Sequence, residues 1–176
     1  MIRRLIICRH LLLLAPKHHA FLTELKRRGQ PERAGLAQCF QLLSLSSAID
    51  QDCAQRLAPL GLSEGRFVLL FLLQGADAPL SPHQLAERAG VTRATVTGLL
   101  DGLERDGLLE RHGDPADKRR VNVRLTAAGE ALAVDLFDQH TQWIRSLFAD
   151  LSDQERALLS GMLCRIWART DAGRAA

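Results

Sequence analysis

LSPHQLAERAGVTRATVTGLLDGLERDGLLERHGDPADKRRVNVRLT, residues 80–126, reads as two short helices, a hairpin with a basic tip and the start of a third helix. Ser81 is placed to N-cap the first helix, with Pro82 at the first helical position and Gln84 at the third, the pattern of a capping box. Leu85, Ala86 and Ala89 supply an apolar side, and Gly90 ends the helix. Thr92 caps a second helix, in which Val96, Leu99, Leu100 and Leu103 recur at the spacing of a buried stripe. Two helices joined by a tight turn containing Gly form a helix-turn-helix. That motif presents the N-terminal polar residues of its second helix, here Thr92, Arg93, Thr95 and Thr97, to base edges and phosphates. Ser81, His83 and Gln84 of the first helix join them as candidate nucleic-acid contacts.

Leu108-Leu109-Glu110-Arg111 and Val121-Asn122-Val123-Arg124-Leu125 read as strands, the second alternating apolar and polar residues. Gly113-Asp114-Pro115 supplies turn chemistry between them, and Asp117-Lys118-Arg119-Arg120 forms the tip. From Arg111 to Arg124 there are five Lys/Arg against two Asp, a local charge of +3. A hairpin with a cationic tip beside a recognition helix is a wing, which holds a neighbouring minor groove or run of phosphates. The same charges on a lone surface hairpin would only be solvated. Adjacent to a helix pair, they favour DNA.

VTRATVTGLLDGLERDGLLER and the following DPADKRRVNVRLTAAG together resemble the multiple-antibiotic-resistance regulator (MarR) family of winged-helix repressors. The likeness rests on D-x-R at Asp117 and Arg119, L-x-x-L-x-x-x-G-L from Leu100 to Leu108, and L-T-x-x-G from Leu125 to Gly129. It spans about residues 35 to 170. The resemblance implies a homodimer, with Arg119 reaching the minor groove and Asp117 orienting the basic wing. An Arg already paired with a carboxylate loses less side-chain freedom on docking, which makes that role physically reasonable.

The 176-residue length suits one domain, or one domain with an extension. With 47% apolar and 24% charged residues the chain is globular rather than disordered. A net charge of +3 alone says little about partners, but its distribution says more. Residues 1–34 hold eight Lys/Arg and two Glu, whereas the remaining 142 residues hold fifteen basic and eighteen acidic groups. Positive charge is thus gathered in the N-terminal arm and the wing.

Cys8, Cys39, Cys53 and Cys164 form no C-x-x-C pair and no zinc spacing, so a disulfide framework is not expected. Arg9-His10 interrupts the apolar run Leu5–Leu14, leaving no convincing signal peptide or membrane span. A cytoplasmic protein follows, associated with a bacterial nucleoid when bound to DNA, with no membrane partner.

The expected fold is mostly α with a small β wing: a winged helix-turn-helix plus a helical dimerisation region. The expected divisions are an N-terminal helical extension (1–34), a dimerisation helix (35–62), the winged helix-turn-helix (63–127) and C-terminal dimerisation helices (128–176). The extension ends at Gly29 with Lys26, Arg27 and Arg28 in its last turn, where cations suit the helix dipole. It pads the dimer interface, with assistance to DNA binding or cover over a ligand pocket as the rival roles. Glu64 to Gln74 is apolar nearly all round and belongs in a core. Thr126 caps a helix to about Ala149, whose Leu132, Leu136, His140, Trp143 and Leu147 form one seam. Ser152 and Glu155 form a second capping box, and the helix they start carries an apolar face too broad to hide alone. A partner subunit would bury it, matching two-fold recognition of a palindromic operator.

No catalytic motif stands out: there is no G-x-S-x-G, phosphate-binding glycine loop or H-E-x-x-H, so no enzyme, metal or cofactor is expected. Cys39 faintly resembles the reactive Cys of the organic-hydroperoxide-sensing branch, but that branch uses tyrosines to stabilise the thiolate and this chain has none. The urate-type branch calls for a Trp in an extra first helix, with an Asp and an Arg further on. Residues 1–34 lack the Trp, and Val68 and Gly98-Leu99 stand where the Asp and Arg would be. The family more generally binds small aromatic or anionic effectors between its dimerisation helices and DNA-binding lobe. Ser44, Ser47, Arg66, Phe67, Leu70 and Phe71 are the candidates to line such a pocket, with Arg66 as the anchor for an anion. The expectation is an effector-responsive repressor. The alternatives are a cysteine-based redox repressor and an interaction module that has lost DNA binding.

Overall fold

A computed structural model describes residues 14–29, 35–113 and 121–175. The chain divides into two compact units, residues 1–64 and 65–176. The helix-turn-helix, the two strands and the helices after them fall in the second unit.

The first unit contains α1 (Pro16–Arg27) and α2 (Leu36–Leu57), the latter continued by a 3-10 turn at Ala58–Leu60. Pro16 opens α1, where its fixed φ suits a first turn, and Lys26 and Arg27 close it. Glu24 bridges back from Arg27 and Arg28, at 2.7 Å each, which holds its carboxyl below the usual range. The His18 ring lies flat on Phe40 of α2, 4.7 Å between centroids, and Phe21 meets the same ring edge-on at 5.3 Å. Ser44 anchors the contact: its hydroxyl oxygen accepts the Ala15 N–H at 3.0 Å and lies 3.0 Å from His18 Nδ1.

In the second unit α3 (Glu64–Gln74), α4 (Pro82–Ala89) and α5 (Arg93–Arg105) precede β1 (Leu109–Gly113) and β2 (Val121–Leu125). Three helices follow: α6 (Ala127–Leu147), α7 (Asp153–Trp167) and α8 (Asp171–Ala175). The strands pair antiparallel with Leu109 opposite Leu125 and Gly113 opposite Val121. The first strand starts one residue later than expected and includes Gly113, while Asp114 and Pro115 lie outside the described residues. Leu80 adds an isolated bridge to Val123, outside the two-stranded sheet.

The expected stripes form the core. Leu69 and Leu70 of α3, Leu85 of α4, and Val96, Leu100 and Leu103 of α5 are fully buried with Val123 of β2. Each such Leu contributes about 2 kcal/mol of transfer free energy. Along the expected seam of α6, Leu136 and Trp143 are buried, whereas Leu147 at the helix end is exposed. His140 lies 4.7 Å from Phe67 and 4.8 Å from Trp143, centroid to centroid, tying α6 to α3. By contrast α7 buries no residue, and Leu158, Met162, Ile166 and Trp167 stand exposed on it.

Candidate nucleic-acid interface

Backbone chemistry sets the limits of α4 and α5. The Ser81 hydroxyl accepts the Gln84 N–H at 3.3 Å and the Gln84 side chain accepts the Ser81 N–H at 2.8 Å, completing the capping box. Gly90, with φ of +66°, takes the left-handed conformation that ends α4 and turns the chain into α5. Thr92 caps α5 by accepting the Thr95 N–H at 3.2 Å, and the two Thr hydroxyls lie 2.8 Å apart. Thr97 donates its hydroxyl to the Arg93 carbonyl at 3.0 Å. Thr92, Arg93, Thr95 and Thr97 are all exposed, as are His83 and Gln84, while Ser81 is half-buried. These residues stand at the starts of α4 and α5, and His83 is the one shown to meet the second helix. An Arg93 guanidinium nitrogen reaches His83 Nε2 at 3.3 Å, and that nitrogen lies 3.6 Å from Glu87, which links α4 to the first residue of α5.

The wing divides. Its root is a cross-strand cluster in which Glu110 meets His112 and Arg124, and both lower the Glu110 pKa, His112 more strongly. Asp117, Lys118, Arg119 and Arg120 lie outside the described residues. Arg111, which the sequence places among the candidate DNA contacts, is paired within the chain. Its guanidinium turns onto α5 and pairs with Asp101 at 2.7 Å and Glu104 at 3.1 Å. Two carboxylates one helical turn apart offer more than a single phosphate can to an Arg that is only 26% exposed.

The candidate effector residues fall in both units. Ser44, already bonded to α1, and exposed Ser47 belong to α2. Arg66, Phe67, Leu70 and Phe71 belong to α3, with Phe67 and Leu70 buried and Phe71 half-buried. Arg66 is already engaged: its guanidinium pairs with Asp106, just past the end of α5, at 3.0 Å. Cys39 is exposed on α2, and Cys53 is buried, which together with Glu64 and Asp50 raises its thiol pKa. Among the described residues no three His, Cys, Asp or Glu side chains are grouped to hold a metal ion, and no single helix is long and apolar enough to cross a membrane.

Two features escaped the sequence reading. Leu80 is a single bridge residue, without the alternation that marks a strand. Gly102 is buried in mid-helix, where a Cβ would meet the Arg66 guanidinium at 2.0 to 2.9 Å. A glycine in a helix interior, at a cost of about 1 kcal/mol relative to Ala, was the available signal.

A family model described as the MarR family matches residues 60–120. The HTH-type transcriptional repressor YetL of Bacillus subtilis is 38% identical over 138 residues, which are 77% of this chain and 83% of that protein. This chain belongs to the MarR family. The HTH-type transcriptional regulator PecS of Dickeya dadantii, 31% identical over 71% of this chain and 76% of its own length, is a second similar protein. The fold also matches the S. aureus MepR–DNA complex with a TM-score of 0.63 and 26% identity, over 72% of this chain and 93% of that one. In MarR terms the chain is a winged helix-turn-helix, DNA-binding transcriptional regulator.

Proposed function

We propose that two copies of this chain bind one palindromic operator and repress a promoter until a small effector releases them. The observation that carries this is the capped start of α5, where Arg93, Thr95 and Thr97 are all exposed and so open to base readout. Ser81, His83 and Gln84 assist from α4, and Lys118, Arg119 and Arg120 of the wing supply salt-dependent phosphate attraction with Asp117 orienting them. The apolar faces of α7 and α6, exposed in the single chain, form the dimer contact. The dimer works in the cytoplasm, on the nucleoid when bound to DNA. The effector is aromatic or anionic. Phe67 and Phe71, 5.6 Å apart and edge to face, offer ring contacts on α3. An anion at Arg66 has to compete with Asp106. A ligand at α3 acts only by its different affinity for the bound and released arrangements.

Selection of fragments from the source genome by the purified chain, followed by footprinting, tests this reading. The expected footprint has two half-sites one helical turn of DNA apart, protected together. Failure to enrich any fragment at low ionic strength opposes DNA binding. Protection of a single half-site opposes the dimeric, palindromic reading.

A further inference from the structure

Two arginines reach α5 from opposite flanks. The fully buried stripe of α5 is Val96, Leu100 and Leu103. At about 100° per residue, Asp101 and Glu104 fall to one side of that stripe and Gly102 and Asp106 to the other. Arg111, from β1, takes the first pair. Arg66, from α3, crosses Gly102 to reach Asp106.

The crossing depends on a missing side chain. A Cβ at position 102 would stand 2.0 Å from Arg66 Nη2 and 2.6 Å from its Cζ. The helix carries a buried glycine, with its conformational cost, at the point where the guanidinium passes. Asp106 is also the C-cap residue, its N–H returning to the Gly102 carbonyl at 3.1 Å. The guanidinium, the glycine and the carboxylate therefore form one arrangement around the last turn of α5.

Apolar burial holds α5 against the core but is non-directional, so the stripe alone leaves small rotations and slides of the helix inexpensive. Base readout is directional. A rotation of α5 carries Arg93, Thr95 and Thr97 away from the bases they meet. We propose that Arg66, passing over Gly102 to Asp106, is a positioning residue that fixes the rotation of the recognition helix, opposite Arg111. It thereby makes the DNA affinity of α5 depend on the placement of α3. Phe67, next to Arg66, contacts His140 of α6, so α3 touches the long helix and the recognition helix through adjacent residues. The proposal rests on the DNA-binding reading of α5.

Four forms of the full chain test it: wild type, Arg66→Gln, Asp106→Asn and the double variant. Each is titrated with the tightest genomic fragment selected by the wild type and unfolded in urea. Both substitutions change charge near DNA, and those effects multiply independently, so the cycle isolates the pair. The expected binding coupling is about threefold, the range of a partly exposed ion pair. Gly102→Ala is expected to weaken binding about threefold in the wild-type background and to leave Arg66→Gln unchanged. Single effects that multiply to the double-variant value in binding overturn the positioning role, whatever coupling appears in unfolding. A Gly102→Ala loss of equal size in both backgrounds also overturns it, because the added methyl would then act without Arg66. A wild-type chain that selects no fragment defeats the DNA-binding reading instead, a distinct result.

Discussion

Leu80 and Val123 exchange both of their backbone hydrogen bonds, Val123 N–H to Leu80 at 2.8 Å and Leu80 N–H to Val123 at 3.2 Å. This pair ties the segment before the helix-turn-helix to the wing strand. Both residues are buried, so their amides are shielded from water as well as bonded. Hydrogen exchange is expected to be slow at Leu80 and Val123, close to the rate set by global unfolding. Exchange at Leu80 as fast as at the Asp77–Ala78 loop would mean the bridge opens on its own.

Gly129→Ala should destabilise the protein by about 3 kcal/mol, at the upper end of overpacking penalties. The added Cβ would meet the Leu108 carbonyl oxygen at 1.8 Å and the carbonyl carbon at 2.8 Å, and backbone cannot swing aside. Thr126 draws the two segments together by donating its hydroxyl to the Gly107 carbonyl at 2.7 Å and capping Gly129 at 3.1 Å. Urea unfolding measures the effect, and a midpoint equal to wild type would contradict this packing.

Glu110 makes part of the stability dependent on acid. Its folded pKa lies below the ordinary value because His112 and Arg124 favour the carboxylate. Its stabilisation is therefore complete above the unfolded value of about 4.3 and disappears as pH falls through the lower folded value. Glu110→Gln is expected to lose stability at neutral pH and to show a shallower decline in acid. Parallel urea midpoints for variant and wild type from neutral pH into acid would exclude the linkage.

Arg119→Ala should weaken operator binding across sequences and reduce the slope of log affinity against log salt by about one unit. Fluorescence anisotropy at several salt concentrations measures both. An unchanged slope would remove Arg119 from the phosphate contacts.

Self-association is expected to depend on α7, where Leu158 is 62% exposed and Ile166 50%. Leu158→Asp with Ile166→Asp removes two apolar anchors of roughly 2 kcal/mol each, weakening the dimer by at least about a hundredfold. Sedimentation velocity at micromolar concentration should then show monomer with native helicity. A persistent dimer would place the contact elsewhere.

Much of this architecture was legible because local chemistry and periodicity agree. Ser81, Thr92, Thr126 and Ser152 are all N-caps in the structure, and each precedes the apolar repeat that starts its helix. The buried stripe of α5 follows directly from the spacing of Val96, Leu100 and Leu103. Contacts between distant residues were not legible. Arg66 and Arg111 carry the same charge whether they face an anion, a phosphate or a carboxylate of the same chain, and sequence gives no distance to Asp106 or Asp101. Leu80 forms its bridge only because the hairpin places Val123 beside it, and a single residue has no period to read. The α1–α2 contact likewise depends on Ser44, a residue whose type is equally suited to a pocket wall and to a helix anchor.

The double pairing of Arg111 makes wing and helix unequal in attachment and release. While β1 stays in place, the guanidinium offsets Asp101 and Glu104, and this flank of α5 carries no bare negative patch. Displacing β1 would uncover both carboxylates near a polyanion, so detachment would add repulsion to the contacts it removes.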